Sequence, residues 1–175
     1  ALLKNAEIFH YIKNAEQYGI NIPEYTVDFE TTIKRSRQVA NQLSKGIAFL
    51  MKKNKITHIE GEGKLTSAKS IEITKGANKN MVEAEKIILA TGGRSSTFPG
   101  MKLDGKKIIS SKEAMMLKKI PEKMVIIGSG AIGVEFAYFF NEYGTEIHLI
   151  EMLPRILPVE DEDISKELQR NFIKT

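Results

Sequence analysis

From Leu2 to Tyr18 the apolar positions Leu3, Ala6, Ile8, Phe9, Ile12 and Ala15 fall along one helical face, and Gly19 offers a residue suited to a left-handed stop. Pro23 makes Asn21–Tyr25 an extended loop, and Asp28 is placed to cap a second helix. Phe29, Ile33, Ala40, Leu43, Ile47 and Leu50 continue the helical spacing, so this second helix is long and ends near Asn54. The period then falls from about 3.6 to 2. Ile56–Glu60 alternates, Ser70–Thr74 alternates around Ile71 and Ile73, and Met81–Ala84 leads into the apolar run Ile87–Ala90. These short strands, separated by glycine and polar turns, predict an antiparallel meander, with a buried strand stopping at Thr91, Gly92 and Gly93.

Ser110 with Glu113 has capping-box spacing and opens a short helix that ends before Pro121. A domain boundary is expected near Ile120–Pro121. Beyond it Lys123–Ile127 reads as a compact strand, Ala131–Tyr143 as a helix, Thr145–Ile150 as a second strand and Asp161–Phe172 as an amphipathic helix. A strand-helix-strand alternation of this length implies an α/β fold with a parallel pair.

Composition narrows the classes. The 175 residues are 42% hydrophobic, enough for a packed core, and no run approaches the roughly 20 apolar residues that cross a bilayer. No membrane association is expected, and the cytoplasm, or the matrix of a mitochondrion or plastid, is the expected location. The net charge of +4 raises the question of a nucleic-acid partner, but the cations are dispersed. Their densest cluster, Lys52-Lys53-Asn54-Lys55, lies where the second helix ends and cations suit the helix dipole, so no nucleic acid is expected. The chain has no cysteine, which excludes disulfides, thiolate metal sites and a cysteine nucleophile within it.

The strongest chemical signal is Gly128-Ser129-Gly130-Ala131-Ile132-Gly133, a G-x-G-x-x-G between an apolar strand and a helix. Gly128 permits the tight turn, Gly130 lets the backbone approach a pyrophosphate, and Gly133 lets helix and strand pack closely. The phosphates would lie against unpaired N–H groups at the helix N-terminus. Glu151 ends the second strand, 21 residues beyond Gly130 (151 − 130), and would accept hydrogen bonds from both hydroxyls of the adenosine ribose. A carboxylate there repels a 2′-phosphate, so NAD is favoured over NADP. Arg155, past Met152-Leu153-Pro154, is expected to point elsewhere.

Gly61-Glu62-Gly63-Lys64, Ala90-Thr91-Gly92-Gly93, Phe98-Pro99-Gly100, Ser110-Ser111, Gly128–Glu135 and Glu151–Pro158, with the opening Ala1-Leu2-Leu3, resemble the pyridine-nucleotide disulfide oxidoreductases, and within them the dihydrolipoamide dehydrogenase group. The resemblance implies a two-dinucleotide flavoprotein fold in which residues 1–120 are the later part of an FAD domain and 121–175 the first half of an NAD domain. It also implies that Gly63, Thr91, Gly92 and Gly93 approach FAD, that Gly128–Val134 line the NAD phosphates, and that Ile132 and Glu135 lie towards the nicotinamide. A homodimer serving the lipoyl domains of 2-oxoacid dehydrogenase complexes or of the glycine cleavage system is the implied assembly.

In those relatives a two-cysteine redox motif precedes the Ala-Leu-Leu, and a histidine–glutamate pair lies in a carboxy-terminal domain. The chain is therefore expected to be a fragment, inactive alone, with no catalytic residue and no metal site of its own. His10, His58 and His148 are expected to be structural. Two other readings stay open: a mercuric- or glutathione-reductase-like enzyme, and a non-catalytic nucleotide-binding module.

Overall fold

The computed structural model describes residues 1–174. In chain order it contains α1 (Leu2–Lys13), a 3-10 turn (Ala15–Tyr18), α2 (Phe29–Lys53), β1 (Glu62–Ser67), β2 (Ser70–Lys75), β3 (Asn78–Glu83), α3 (Ser111–Ala114), β4 (Lys123–Ile127), α4 (Ala131–Glu142), β5 (Glu146–Ile150) and α5 (Glu162–Lys174). These form two compact units, Ala1–Ala40 with Pro99–Thr175, and Asn41–Phe98.

In the first unit the expected single helix to Tyr18 is broken. Asn14 turns its side-chain amide back onto the His10 carbonyl at 2.8 Å, and Ala15–Tyr18 tightens into the 3-10 turn. Gly19 then closes it at φ 71°. Asp28 caps α2 as expected, accepting the Thr31 N–H at 2.9 Å and the Thr31 hydroxyl at 2.7 Å. Ser110 and Glu113 complete a capping box, with the Ser110 N–H donating to Glu113 at 2.8 Å, although α3 itself spans only four residues.

The core of this unit joins α1, α2, α3 and α4 through Ala6, Phe29, Ile33, Ala114, Phe139 and Phe140. Phe139 and Phe140 are adjacent and both almost wholly buried, so α4 is clasped on two sides rather than along one stripe. Their rings meet edge to face at 5.0 Å, and Phe29 approaches Phe139 at 6.0 Å.

The second unit contains the antiparallel sheet β1-β2-β3, in register from Glu62↔Thr74 and from Ser70↔Glu83. The meander is thus present, but its first strand is Glu62–Ser67 and not Ile56–Glu60, which belongs to neither sheet. Ile87–Ala90 is likewise not a buried strand: Ile88 is 91% exposed and Leu89 67%. An alternating or apolar run becomes a strand only where a neighbour takes up its N–H and C=O groups, and among the described residues neither segment has one.

Candidate functional site

β4 and β5 run parallel, paired residue by residue from Lys123↔Glu146 to Ile127↔Ile150. The Gly128 N–H continues the ladder to the Ile150 carbonyl at 2.8 Å, and the chain then swings away with Gly128 at φ 99°, a conformation that disfavours any Cβ. Gly130 is the N-cap of α4 and the first helical bond runs from the Val134 N–H to its carbonyl at 3.1 Å.

Two of the glycines have different reasons to be glycine. A Cβ on Gly133 would strike the carbonyl oxygen of Gly128, and would lie 3.1 Å from that residue's carbonyl carbon. Helix and strand therefore approach at this position to a distance that only glycine allows. A Cβ on Gly130 would meet nothing within 4 Å, so no packing within the chain requires glycine there. The open ground lies at the amino end of α4, where the first-turn N–H groups have no helical acceptor. Of the other turn residues, Ala131, Ile132 and Glu135 are exposed, while Val134 is buried in the core.

Glu151 sits directly beside this turn. Its Oε2 accepts both the backbone N–H and the hydroxyl of Ser129, each at 2.9 Å, and its Oε1 accepts the Leu153 N–H at 3.0 Å. These bonds favour the ionised form, the Leu153 N–H most, then the Ser129 N–H and hydroxyl, and hold the carboxyl at about 2, far below its ordinary 4.5. Ser129 is fully buried.

A second layer braces the same turn. The Leu157 N–H donates to the Ser129 carbonyl at 3.0 Å, and the Leu157 carbonyl accepts the buried Ser165 hydroxyl at 3.0 Å. Leu157 is held at φ 45°, where a non-glycine residue is uncommon. Arg155 turns its guanidinium to the carbonyls of Pro158, at 3.3 Å, and Glu160, at 3.4 Å.

The brace from Leu153, Leu157 and Ser165 was not read from the sequence; Pro154 and Pro158, which bracket a short rigid loop, are its only trace there. Nor was the cluster at the far end of α4. There Glu142, only 8% exposed, pairs with Lys13 at 2.6 Å and with the His10 Nδ1 at 2.9 Å. His148 pairs with the exposed Glu146 at 2.7 Å.

The structure brings Gly128, Ser129, Gly130, Ala131, Gly133 and Glu151 together. Gly63, Thr91, Gly92 and Gly93 belong to the second unit. Gly63 lies in β1 opposite Ile73, and a Cβ there would be in ordinary contact with Ile71 at 3.6 Å. Gly92 takes φ 80° in a segment outside both sheets, and a Cβ on it or on Gly93 would meet open space within 4 Å.

The family model described as pyridine nucleotide-disulphide oxidoreductase matches residues 2–175. Proteins named dihydrolipoyl dehydrogenase from Chlorobaculum parvum and Zymomonas mobilis are 42% and 40% identical over 99% of the chain. The chain spans 37% and 38% of their lengths. Among solved structures, LpdA from Mycobacterium tuberculosis superposes with a TM-score of 0.87 at 21% identity, covering 99% of this chain and 38% of that one. The HOCl-induced flavoprotein disulfide reductase RclA from Escherichia coli gives 0.75 at 24% identity, with 99% and 36% covered. The fold is that of flavoprotein disulfide reductases, an α/β fold with a Rossmann-like βαβ unit and an antiparallel meander.

Proposed function

The chain belongs to the pyridine nucleotide-disulphide oxidoreductase family, and we propose that it is part of a dihydrolipoyl dehydrogenase that uses FAD and NAD. The observation that carries this reading is the Gly128–Gly133 turn with Glu151 folded against it. Residues 1–120 then belong to the FAD domain and 121–175 open the NAD domain.

The residues present fit a dinucleotide. Gly130 leaves the approach to the α4 N-terminus free of any Cβ, where a pyrophosphate can be held by backbone N–H groups and the positive end of the helix dipole. Glu151, ionised at every working pH, recognises the adenosine ribose and repels a 2′-phosphate. Ile132 and Glu135, exposed on the first turns of α4, are the residues assigned to the nicotinamide end. Gly63 and Thr91–Gly93 are assigned to FAD, Gly92 and Gly93 leaving their backbone open to close approach. NAD, when bound, supplies the hydride-accepting ring. The lipoyl domains of 2-oxoacid dehydrogenase complexes or of the glycine cleavage system, a homodimeric assembly, and a cytoplasmic or organellar-matrix location go with this proposal.

Steady-state kinetics of the complete protein test it. Oxidation of dihydrolipoamide coupled to NAD reduction is the expected result. Turnover of glutathione disulfide or mercuric ion with NADPH, and none with dihydrolipoamide, would overturn it in favour of a glutathione- or mercuric-reductase-like enzyme.

A further inference from the structure

Leu157 stands at φ 45°, a left-handed conformation that a leucine keeps only where its surroundings over-determine it. Here they do so through both of its backbone groups. Its N–H donates to the Ser129 carbonyl at 3.0 Å, and its own carbonyl accepts the Glu160 N–H and the Ser165 hydroxyl, each at 3.0 Å. Ser165 lies in the first turn of α5 and is fully buried. Glu151 fixes Ser129 only on its amino side, through the N–H and the hydroxyl. On the carbonyl side comes Gly130, which has no Cβ and open space where one would stand, so no side chain resists rotation of the Ser129–Gly130 peptide. The bond from Leu157 sets the sense of that peptide. A trans peptide points its C=O and N–H in opposite directions. With the carbonyl held towards Leu157, the Gly130 N–H faces the other way, and it is one of the four N–H groups at the head of α4 that have no helical acceptor.

We infer that Ser165 is a positioning residue for the dinucleotide phosphates: acting through Leu157, it holds the Ser129–Gly130 peptide with its N–H, and not its carbonyl oxygen, turned to the anion. This rests on the NAD reading of the turn. In the reverse sense the peptide would set a carbonyl oxygen beside the phosphates, replacing an attraction with a repulsion and removing one donor from the head of the helix. The Glu160 N–H does not do the work of Ser165. It closes a turn within the same short loop, Leu157 to Glu160, whereas the Ser165 hydroxyl ties that loop to α5. Ser165 bonds to Leu157 and not to the glycine turn, so its effect reaches the phosphates only through the Leu157 backbone.

The test compares ADP with adenosine, by competition calorimetry on the complete protein carrying its flavin. In the native protein the pyrophosphate should make ADP bind about tenfold or more tightly than adenosine. In Ser165→Ala, ADP should weaken about fivefold while adenosine stays within about twofold, because only the peptide that faces the phosphates loses its anchor. Ser165→Cys fills nearly the same space with a weak donor, and should behave as the alanine variant does. An ADP-to-adenosine ratio that stays native in Ser165→Ala, whether both ligands weaken together or neither does, overturns the inference. So does a native ratio in Ser165→Cys, which would assign the effect to packing and not to the hydroxyl. Native protein that binds ADP no more tightly than adenosine would refute phosphate binding at the turn, and the inference would fall with that reading. A native preference for ADP that Ser165→Ala leaves intact removes the role of Ser165 alone.

Discussion

Gly133 lies against the carbonyl oxygen of Gly128 so closely that a Cβ at position 133 would overlap that atom. The obstacle is backbone, fixed on one side by the Gly128 N–H bond to Ile150 at 2.8 Å, so it cannot swing aside as a flexible side chain would. Gly133→Ala is expected to push α4 off β4 and destabilise the protein by about 3 kcal/mol or more, at the upper end of overpacking effects. Gly130→Ala should leave stability nearly unchanged, because nothing within the chain lies within 4 Å of the new Cβ, yet weaken dinucleotide binding. Denaturant unfolding and NAD titration of both variants check the pair. Equal stability loss in the two would remove the distinction between a packing glycine and an approach glycine.

Glu142 is the one nearly buried carboxylate of α4, and its partners Lys13 and His10 come from α1, more than a hundred residues away in sequence. Lys13 also donates to the Glu142 backbone carbonyl at 3.0 Å. The partners are a third to a half exposed, so the loss on Glu142→Gln is placed at about 1–2 kcal/mol and below that of a fully buried pair. In a double-mutant cycle Lys13→Ala and Glu142→Gln should be less than additive. Additive losses would mean the contact contributes nothing measurable.

How far these features could be read from the sequence depends on how local their causes are. The Asp28 cap, the Ser110–Glu113 capping box and the Gly128–Gly133 turn are set by neighbours within a few residues, and each could be placed in advance. Ile56–Glu60 carries the alternation of a strand and Ile87–Ala90 the apolar run of a buried one, yet such patterns record only which side chains suit burial. Whether a strand forms depends on a neighbouring strand, and none lies beside them among the described residues. β1 is the converse case: all six of its residues are exposed, so it has no burial pattern to detect, and it is a strand because β2 pairs with it. The acid after the second strand was legible at the site, but the donors that hold it were not. Ser129 reads as a spacer in a glycine motif, and nothing in composition shows its side chain turned inward onto Glu151.

Acid stability follows from the lowered carboxyl of Glu151. Its folded value of about 2 lies below the ordinary 4.5, so between these two pH values the unfolded chain binds more protons and stability rises with pH. The contribution is complete above about pH 4.5 and is lost as pH falls towards 2. Glu151→Gln should flatten the stability profile within that window and change its shape little between pH 6 and 8. A profile for the variant that parallels the native one from pH 4.5 to 2 would show that the bonds from Ser129 and Leu153 do not favour the charged form.

The chain of 175 residues, purified alone, is expected to be colourless. Gly63 and Thr91–Gly93 offer a flavin only a backbone approach from exposed positions, with no buried polar cradle around them. An absorbance spectrum settles it: a flavin band at near-stoichiometric level would show that these residues suffice.

Cofactor choice is the sharpest consequence of Glu151. Bound to a ribose hydroxyl, the carboxylate contributes a charged hydrogen bond of about 1.5–3 kcal/mol. An NADP 2′-phosphate would lose that bond or crowd it, and would bring a dianion beside a carboxylate that stays ionised down to about pH 2. Arg155, the nearest cation in sequence, does not offset this, because its guanidinium is engaged by the carbonyls of Pro158 and Glu160. The complete protein should therefore prefer NAD over NADP by at least about tenfold in kcat/KM, more once repulsion is added. Glu151→Ala should weaken NAD by about tenfold or more and narrow the gap to NADP. Glu146→Ala is the matched control: that carboxylate is exposed at the start of β5, paired with Lys123 at 2.9 Å and His148 at 2.7 Å, and should leave the preference unchanged. Equal kcat/KM for both cofactors in the native protein, or a preference that survives Glu151→Ala, would reject the ribose role of Glu151 and reopen a glutathione-reductase-like parent.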